Sequence, residues 1–273
     1  VPERPVNLPE STDDHALLLG VIKQAGDIAR RFFQTHFKRW DKSKNNPVTE
    51  ADMAIDAMLH AKLTTARPAY GWLSEETEDN SDRLNRDKVW IVDPIDGTRA
   101  FIKGVPHFVI SIALCWKGLP ISAAIYNPIT DELFEAQKGK GALLNGNVIN
   151  VSARQKIKHC RMLGDAALFA SKKWQNPWPA MHIESRNSIA LRMGMVASGA
   201  WDACLTLAHK ADWDIAASDL IVTESGGIAT NHRGETFIYN RNIPKHHAVV
   251  TAGPALHAQL IDRVRHIPLS DPK

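Results

Sequence analysis

Trp90-Ile91-Val92-Asp93-Pro94-Ile95-Asp96-Gly97-Thr98 is the stretch on which the reading of this 273-residue chain turns. An apolar, β-branched run from Val89 to Val92 leads without a break into two aspartates three positions apart. Pro94 fixes its own φ and Gly97 tolerates a left-handed backbone, so the stretch reads as a strand ending in a tight turn. Such a turn can aim both carboxylates, and a backbone carbonyl between them, at one point beyond the strand end. Oxygen-only ligands of this kind suit Mg²⁺, which takes a few carboxylates, waters and substrate phosphate. Asp-Pro and Asp-Gly are also ordinary turn formers, and the local chemistry leaves both readings open.

Upstream, residues 1–13 read as a polar, proline-containing lead-in. Leu18, Val21, Ile22, Ala25, Ile28, Ala29 and Phe32 then recur with the helical period, which predicts an amphipathic helix over His15 to Gln34. Asp41 to Pro47 reads as a polar loop, and Thr49 opens a second helix reaching about Ala66. Downstream, Phe108 to Trp116 and Ile121 to Tyr126 read as a hairpin about Gly118-Leu119-Pro120, followed by strands at Leu133 to Ala136 and Val148 to Val151. Beyond Ser152 the pattern alternates strands (162–164, 203–207, 248–251) with helices (188–198, 214–225, 254–266). Strands first and alternation afterwards predict a layered α/β protein in two lobes, 1–151 and 152–273.

Hydrophobic residues make up 44% and charged residues 23%, with a net charge of +3, which argues against disorder. No apolar run reaches the roughly 18 residues of a spanning helix, and Val1 to Pro5 has no signal-like apolar core. Lys and Arg are scattered, so there is no nucleic-acid signature. Cys115, Cys160 and Cys204 form no CxxC pair and read as buried, reduced thiols of a cytoplasmic protein. His246 and His247 are adjacent and would point to opposite faces of a strand, which argues against a shared metal. Gly139-Lys140-Gly141 lacks the spacing of a phosphate loop and reads as a turn.

Three further acidic sites stand apart from the central pair: Thr49-Glu50-Ala51-Asp52, Ser74-Glu75-Glu76 and Trp213-Asp214. Singly they read as a capping box, a solvated turn and a helix N-terminus. Together, in this order and spacing, they resemble the inositol monophosphatase superfamily of Mg²⁺-dependent, lithium-sensitive phosphatases. The resemblance runs from Pro47 to Ala217. It implies the layered αβαβα fold of the inositol monophosphatase and fructose-1,6-bisphosphatase type, with metals between the halves and a homodimer as a common assembly. It implies that Glu75, Asp93 and the Ile95 carbonyl hold one Mg²⁺, and that Asp93, Asp96 and Asp214 hold a second, with Asp93 bridging. A third, weaker ion would lie near Glu75, with Mn²⁺ as an alternative metal and Li⁺ as an inhibitor. Gly97 and Thr98 would offer backbone N–H groups to phosphate, and Asp52 would accept from Thr98 so that the pair orients the attacking water. Glu75 would share in that catalysis as a ligand. Lys42 falls where such sequences carry a lysine near the metals, with Lys44 as its rival, and Ser188 and Lys210 join as phosphate or substrate contacts.

For the substrate, a small phosphorylated metabolite, three branches compete. Asp96-Gly97-Thr98-Arg99-Ala100-Phe101 is shared with some histidinol-phosphate phosphatases. Inositol monophosphatases carry an acid about seven positions before the last aspartate, where this chain has Thr206 and Leu207. The run through Leu73-Ser74-Glu75-Glu76, Arg83-Leu84 and Val89 to Pro94 looks closer to bacterial 3'(2'),5'-bisphosphate nucleotidases, and Lys210, Arg186 and Arg192 are cations for a second phosphate. Adenosine 3',5'-bisphosphate is therefore favoured over inositol 1-phosphate. A regulatory binding protein of the extragenic suppressor type is the rival from another class.

Overall fold

The computed structural model describes residues 12–43, 46–172 and 174–270. Helix α1 (Thr12–Phe32) buries Leu18, Val21, Ile22, Ala25 and Ala29, with Asp13 and Asp14 in its first turn and Arg30 and Arg31 in its last, as the helix dipole favours. Of the lead-in, only Thr12 and Asp13 are described, and they belong to α1. The expected polar loop at 41–47 is instead a ribbon of β1 (Arg39–Ser43) and β2 (Asn46–Thr49), with Trp40 opposite Val48. Its exposed, charged positions and Pro47 hide the strand signal, although proline is tolerated where no ladder donor is needed. Thr49 caps α2 (Glu50–Ala66): its hydroxyl accepts from the N–H groups of Ala51 and Asp52, and the Asp52 carboxylate accepts from the Thr49 N–H.

A seven-stranded sheet follows in the order β3 (Gly71–Ser74), β4 (Lys88–Asp96), β5 (Val109–Trp116), β6 (Leu119–Asn127), β7 (Glu132–Gln137), β8 (Ala142–Leu144) and β9 (Asn147–Val148). Only β3 and β4 run parallel; the other neighbours are antiparallel. The short helix α3 (Thr98–Ile102) leaves the end of β4. The β5–β6 turn is Lys117-Gly118, both at positive φ, with Trp116 paired to Leu119. Leu119 and Pro120 thus belong to the strand, because a two-residue turn of this hand matches the strand twist. The expected strand at Val148–Val151 stops at Val148, and the Val151 N–H donates to the Ser225 carbonyl instead.

The remaining chain supplies β10 (Arg161–Leu163), α4 (Ala166–Ala170), β11 (His182–Glu184), α5 (Ile189–Ala197), β12 (Ala203–Thr206), β13 (Lys210–Ala211), α6 (Asp212–Glu224), β14 (Ile228–Thr230), β15 (Lys245–His246), β16 (Val249–Ala252) and α7 (Pro254–Val264). A five-stranded sheet runs β11-β10-β12-β16-β14, and β13 pairs separately with β15.

Strand alternation builds the layers. Trp90, Val92, Ile110, Ile112 and Leu114 pack with α1 and α2 on one face of the large sheet. Val89, Ile91, Val109, Ala113 and Cys115 face α5 and α6. Leu163, Cys204 and Val249 of the second sheet join that same middle layer, while Met162, Ala203, Leu205, Val250 and Ala252 pack with α7. The stack is helix, sheet, helix, sheet, helix, as expected. Tight contacts hold it: a Cβ on Gly26 of α1 would meet the Tyr126 ring of β6 at 2.3 Å. All three cysteines are buried and free, and none of the described helices is long and apolar enough to cross a membrane.

Candidate active site

Residues three apart on a regular strand point to opposite faces. In β4, Asp93 pairs with Ser111 and Asp96 with Val109, so three steps on β4 match two on β5. This one-residue bulge, containing Pro94, returns both aspartates to the face shared with Ser111 and Val109, which looks toward α6. The Ser111 hydroxyl donates to the Trp213 carbonyl at 3.4 Å, tying the first turn of α6 to the same face. Asp214 projects there from the third position of α6, and its Oδ2 accepts from the Ala211 N–H at 2.7 Å. Asp93, Asp96 and Asp214 each bring a carboxylate oxygen within 4.8 Å of the others.

Each of these carboxylates is fixed through one oxygen. Asp93 Oδ1 accepts from the Ile95 N–H at 3.0 Å, and Asp96 Oδ2 accepts from the Ser188 hydroxyl at 2.5 Å and the Ala190 N–H at 2.7 Å. Among the described residues, Asp93 Oδ2 is buried with no hydrogen-bond partner. An anionic oxygen in that state is costly unless a cation meets it. Burial, then the charges of Glu75, Asp96 and Asp214, push the Asp93 carboxyl well above its usual range. Burial and Asp214 push Asp96 up to about 7, and burial also raises Asp214. Four crowded acids with oxygen donors only fit a hard divalent cation such as Mg²⁺.

Glu75 lies on the wall of the same cavity, of about 200 Å³, but outside the tight group of three. The Glu75 N–H donates to the Val92 carbonyl at 3.3 Å, which continues the β3–β4 pairing by one residue. Lys42 Nζ donates to Glu75 Oε1 and Glu76 Oε1, both at 3.0 Å, and so lies at the acidic centre; Lys44 lies outside the described residues. Burial opposes the charge on Lys42, but Glu75 and Glu76 hold its pKa above the ordinary lysine value. Lys210 lines the same cavity, where its charge acts on both Asp214 and Glu75.

The Thr98 hydroxyl lies 3.2 Å from Asp52 Oδ1 and 3.0 Å from the Ile95 carbonyl. A hydroxyl has one proton, so it donates to one of these at a time and keeps lone pairs for a water. Burial pushes Asp52 up to about 6 against the hydrogen bonds from Thr49. Gly97, at φ +103, admits no side chain: a Cβ would meet the His107 carbonyl oxygen at 2.8 Å.

Ser188, Arg186 and Arg192 have partners within the protein, and two further residues join the site. Ser188 is fully buried; its hydroxyl caps α5 and donates to Asp96, so it reaches a substrate only through that aspartate. Arg186 pairs with Glu184 at 2.5 Å and Arg192 donates to the Arg186 carbonyl at 2.6 Å, so these cations are engaged with their own loop. Asp56 accepts from the Ser74 and Thr77 hydroxyls at 2.5 and 2.7 Å, which fixes the turn carrying Glu75. Its position one helical turn after Asp52 was the available signal. Glu76, pushed up to about 7 by burial, shares Lys42 with Glu75. His246 is buried against Asp212 at 2.8 Å, a structural pair.

The family model described as "Inositol monophosphatase family" matches residues 12–269. The chain belongs to the inositol monophosphatase family. An inositol-1-monophosphatase of Rhizobium meliloti is 32% identical over 81% of this chain and 85% of its own length. A protein of Vibrio cholerae named Nus factor SuhB is 34% identical over 71% of this chain and 75% of its own. The crystal structure of the extragenic suppressor protein suhB from Bartonella henselae superposes with a TM-score of 0.79 at 27% identity, covering 93% of this chain and 99% of that one. As a member of the inositol monophosphatase family, this protein is a phosphatase, a metal-dependent hydrolase of small phosphorylated substrates, and its acidic cluster is compatible with the metal requirement.

Proposed function

We propose that this protein hydrolyses a small phosphomonoester with divalent cations held by Glu75, Asp93, the Ile95 carbonyl, Asp96 and Asp214, Asp93 contributing to both positions. The observation that carries this is the buried, unpartnered Oδ2 of Asp93 beside two further fixed aspartates. Mg²⁺, two or three ions per chain, is the proposed metal, with Mn²⁺ as a substitute and Li⁺ as an inhibitor. Bound cations supply two things: charge to neutralise the phosphate and leaving oxygen, and acidity to a coordinated water. The protein's own groups do the rest. Thr98, oriented by Asp52, accepts a hydrogen bond from the attacking water and turns its lone pair to phosphorus. Gly97 and Thr98 open α3, where the first N–H groups have no intrahelical partner, and offer them to phosphate oxygens. Lys42 holds Glu75 in place and Lys210 adds positive charge to the same cavity.

Adenosine 3',5'-bisphosphate, giving AMP and phosphate, is the proposed substrate. It is supported by the neutral Thr206 and Leu207, which offer no carboxylate to a polyol whose buried, unpaired hydroxyls cost about 1–3 kcal/mol each. Inositol 1-phosphate is the second reading, favoured by the names of relatives and by the engagement of Arg186 and Arg192 within their own loop. Histidinol phosphate comes third. A regulatory binding role draws on relatives named Nus factor SuhB, a homodimer rests on the resemblance alone, and a cytoplasmic location rests on the three buried, free cysteines. The test is phosphate release from all three esters, with Mg²⁺ and with chelator. Mg²⁺-dependent turnover of at least one is expected. Inositol 1-phosphate preferred by tenfold or more in kcat/KM, about 1.4 kcal/mol, overturns the nucleotidase reading; no release from any overturns the phosphatase assignment to this site.

A further inference from the structure

The run from Glu78 to Arg86 is polar but for Leu84, yet Arg83 at its centre is only 2% exposed. A buried guanidinium is costly unless its donors are met. All five are. Nε and Nη2 bond the two oxygens of Asp79 at 2.6 and 2.7 Å, Nη1 bonds Asn240 Oδ1 at 2.7 Å, and Nη1 and Nη2 each reach the Arg241 carbonyl at 3.1 Å. Asn240 Nδ2 donates in return to the Arg83 carbonyl at 3.2 Å. These bonds join the segment that leaves β3, where Asp79 stands four residues after Glu75, to the segment that leads into β15. From Asn240 the chain of bonds continues to α6. The Asn240 N–H donates to Asp212 Oδ2 at 2.7 Å, and His246 Nε2 lies 2.8 Å from Asp212 Oδ1. Asp212 is buried, opens α6 and donates its own N–H to the Pro244 carbonyl at 2.9 Å. Asp214 follows two residues on.

We infer that Arg83 and Asn240 are positioning residues, which lock the turn carrying Glu75 to the start of α6 and so fix where Asp214 meets the ion it would share with Asp93 and Asp96. The inference rests on the metal reading proposed above and adds residues that touch neither ion nor substrate. Asp93 and Asp96 come from one strand, β4, so their spacing is set locally. Asp214 comes from α6, whose apolar side chains pack on the large sheet. Apolar packing is non-directional, so it holds a helix to a sheet without fixing its advance along its own axis. Directional bonds to the first residue of the helix do fix it. A divalent cation with Mg–O bonds of about 2.1 Å and near-octahedral demands is sensitive to such an advance. The burial of Arg83 and Asp212 strengthens these bonds by keeping water from competing for them.

Asn240→Gly is the gentlest test. Asn240 has φ +56, where glycine is at ease, so the backbone and its N–H to Asp212 stay while both side-chain bonds to Arg83 are lost. Arg83→Lys keeps the charge but not the planar fork, and Asn240→Asp keeps an acceptor for that fork. Circular dichroism checks the fold of each. The readout is Mn²⁺ titration without substrate, followed by electron paramagnetic resonance. In Asn240→Gly and in Arg83→Lys the position that includes Asp214 is expected to weaken about tenfold, with Asn240→Asp within about threefold of wild type. Asp214→Asn identifies that position: on its background, Asn240→Gly is expected to change the remaining Mn²⁺ affinity less than about twofold. In turnover, the Mg²⁺ concentration for half-maximal rate is expected to rise about tenfold in Asn240→Gly, with kcat at saturating Mg²⁺ within about twofold. A cross-link that only stabilises the fold lowers the melting temperature and leaves every Mn²⁺ affinity unchanged, and that result overturns the proposal. Equal weakening on the Asp214→Asn background overturns it too. Wild-type protein that binds no Mn²⁺ overturns the metal reading and the positioning role with it, a result distinct from either.

Discussion

Asp93 holds its two oxygens in different states: Oδ1 is anchored on the Ile95 N–H and Oδ2 is buried without a donor. Replacing it with asparagine keeps the shape, removes a charge from a crowded acidic group and takes away the ligand shared between the two proposed ion positions. Asp93→Asn is therefore expected to lower turnover by about 10³-fold or more while raising the melting temperature of the metal-free protein, as scanning calorimetry would record. Near-wild-type turnover contradicts the assignment. Thr98 differs in kind, since its hydroxyl orients a water and leaves the metal set intact. Thr98→Ala is expected to reduce kcat by about 10²-fold with KM little changed; an altered KM at normal kcat makes Thr98 a substrate contact instead.

Helix α2 acts as a ruler for the site. Asp52 and Asp56 stand one turn apart; one bonds Thr98 at the start of α3, the other the turn that carries Glu75. The cap at Thr49 fixes the start of that ruler and also donates to Asp52. Thr49→Ala is expected to cost about 1 kcal/mol of stability and to lower kcat too, because Asp52 loses a hydroxyl donor; urea unfolding and steady-state rates measure the two effects separately. The cap was legible in the sequence because Thr49 and Asp52 meet at local spacing. The pair Asp93 and Asp96 was legible as carboxylates at a strand end, but the bulge that turns both to one face was not, since register depends on β5. Strand β3 has four residues and the β1–β2 ribbon is mostly exposed, so neither leaves a periodic signal. Ser188 read as a candidate contact because its true partner, Asp96, lies 92 residues away in sequence.

Among the described residues, burial holds several acids above their ordinary range. Burial raises Asp52 to about 6, and Glu76, Asp96 and Asp219 to about 7. The folded state then binds protons more tightly than the unfolded chain. These acids make metal-free stability fall as pH rises from about 4 through 7, against a smaller opposite contribution from His107, His232 and His257, which burial holds below the ordinary histidine value. Asp14, Asp79 and Asp202 are lowered, and their contribution is lost only as pH drops below about 4, outside that window. The melting temperature in chelator is thus expected to be higher at about pH 5.5 than at about pH 8, and added Mg²⁺ to raise it more at the higher pH, where protons no longer compete. A chelated protein more stable at pH 8 would falsify this picture of a charge-loaded site.

The layered stack brings these acids together from β3, β4 and α6, elements that no local stretch of sequence joins. The central claim is that their convergence holds divalent metal. Anomalous diffraction from crystals soaked in Mn²⁺ tests it most directly. The account predicts a peak about 2.0–2.3 Å from carboxylate oxygens of Asp93, Asp96 and Asp214, with a second toward Glu75 and the Ile95 carbonyl, and loss of both in Asp93→Asn. Crystals of active protein with no peak among these residues, or with Mn²⁺ bound elsewhere and Asp93 untouched, would contradict it.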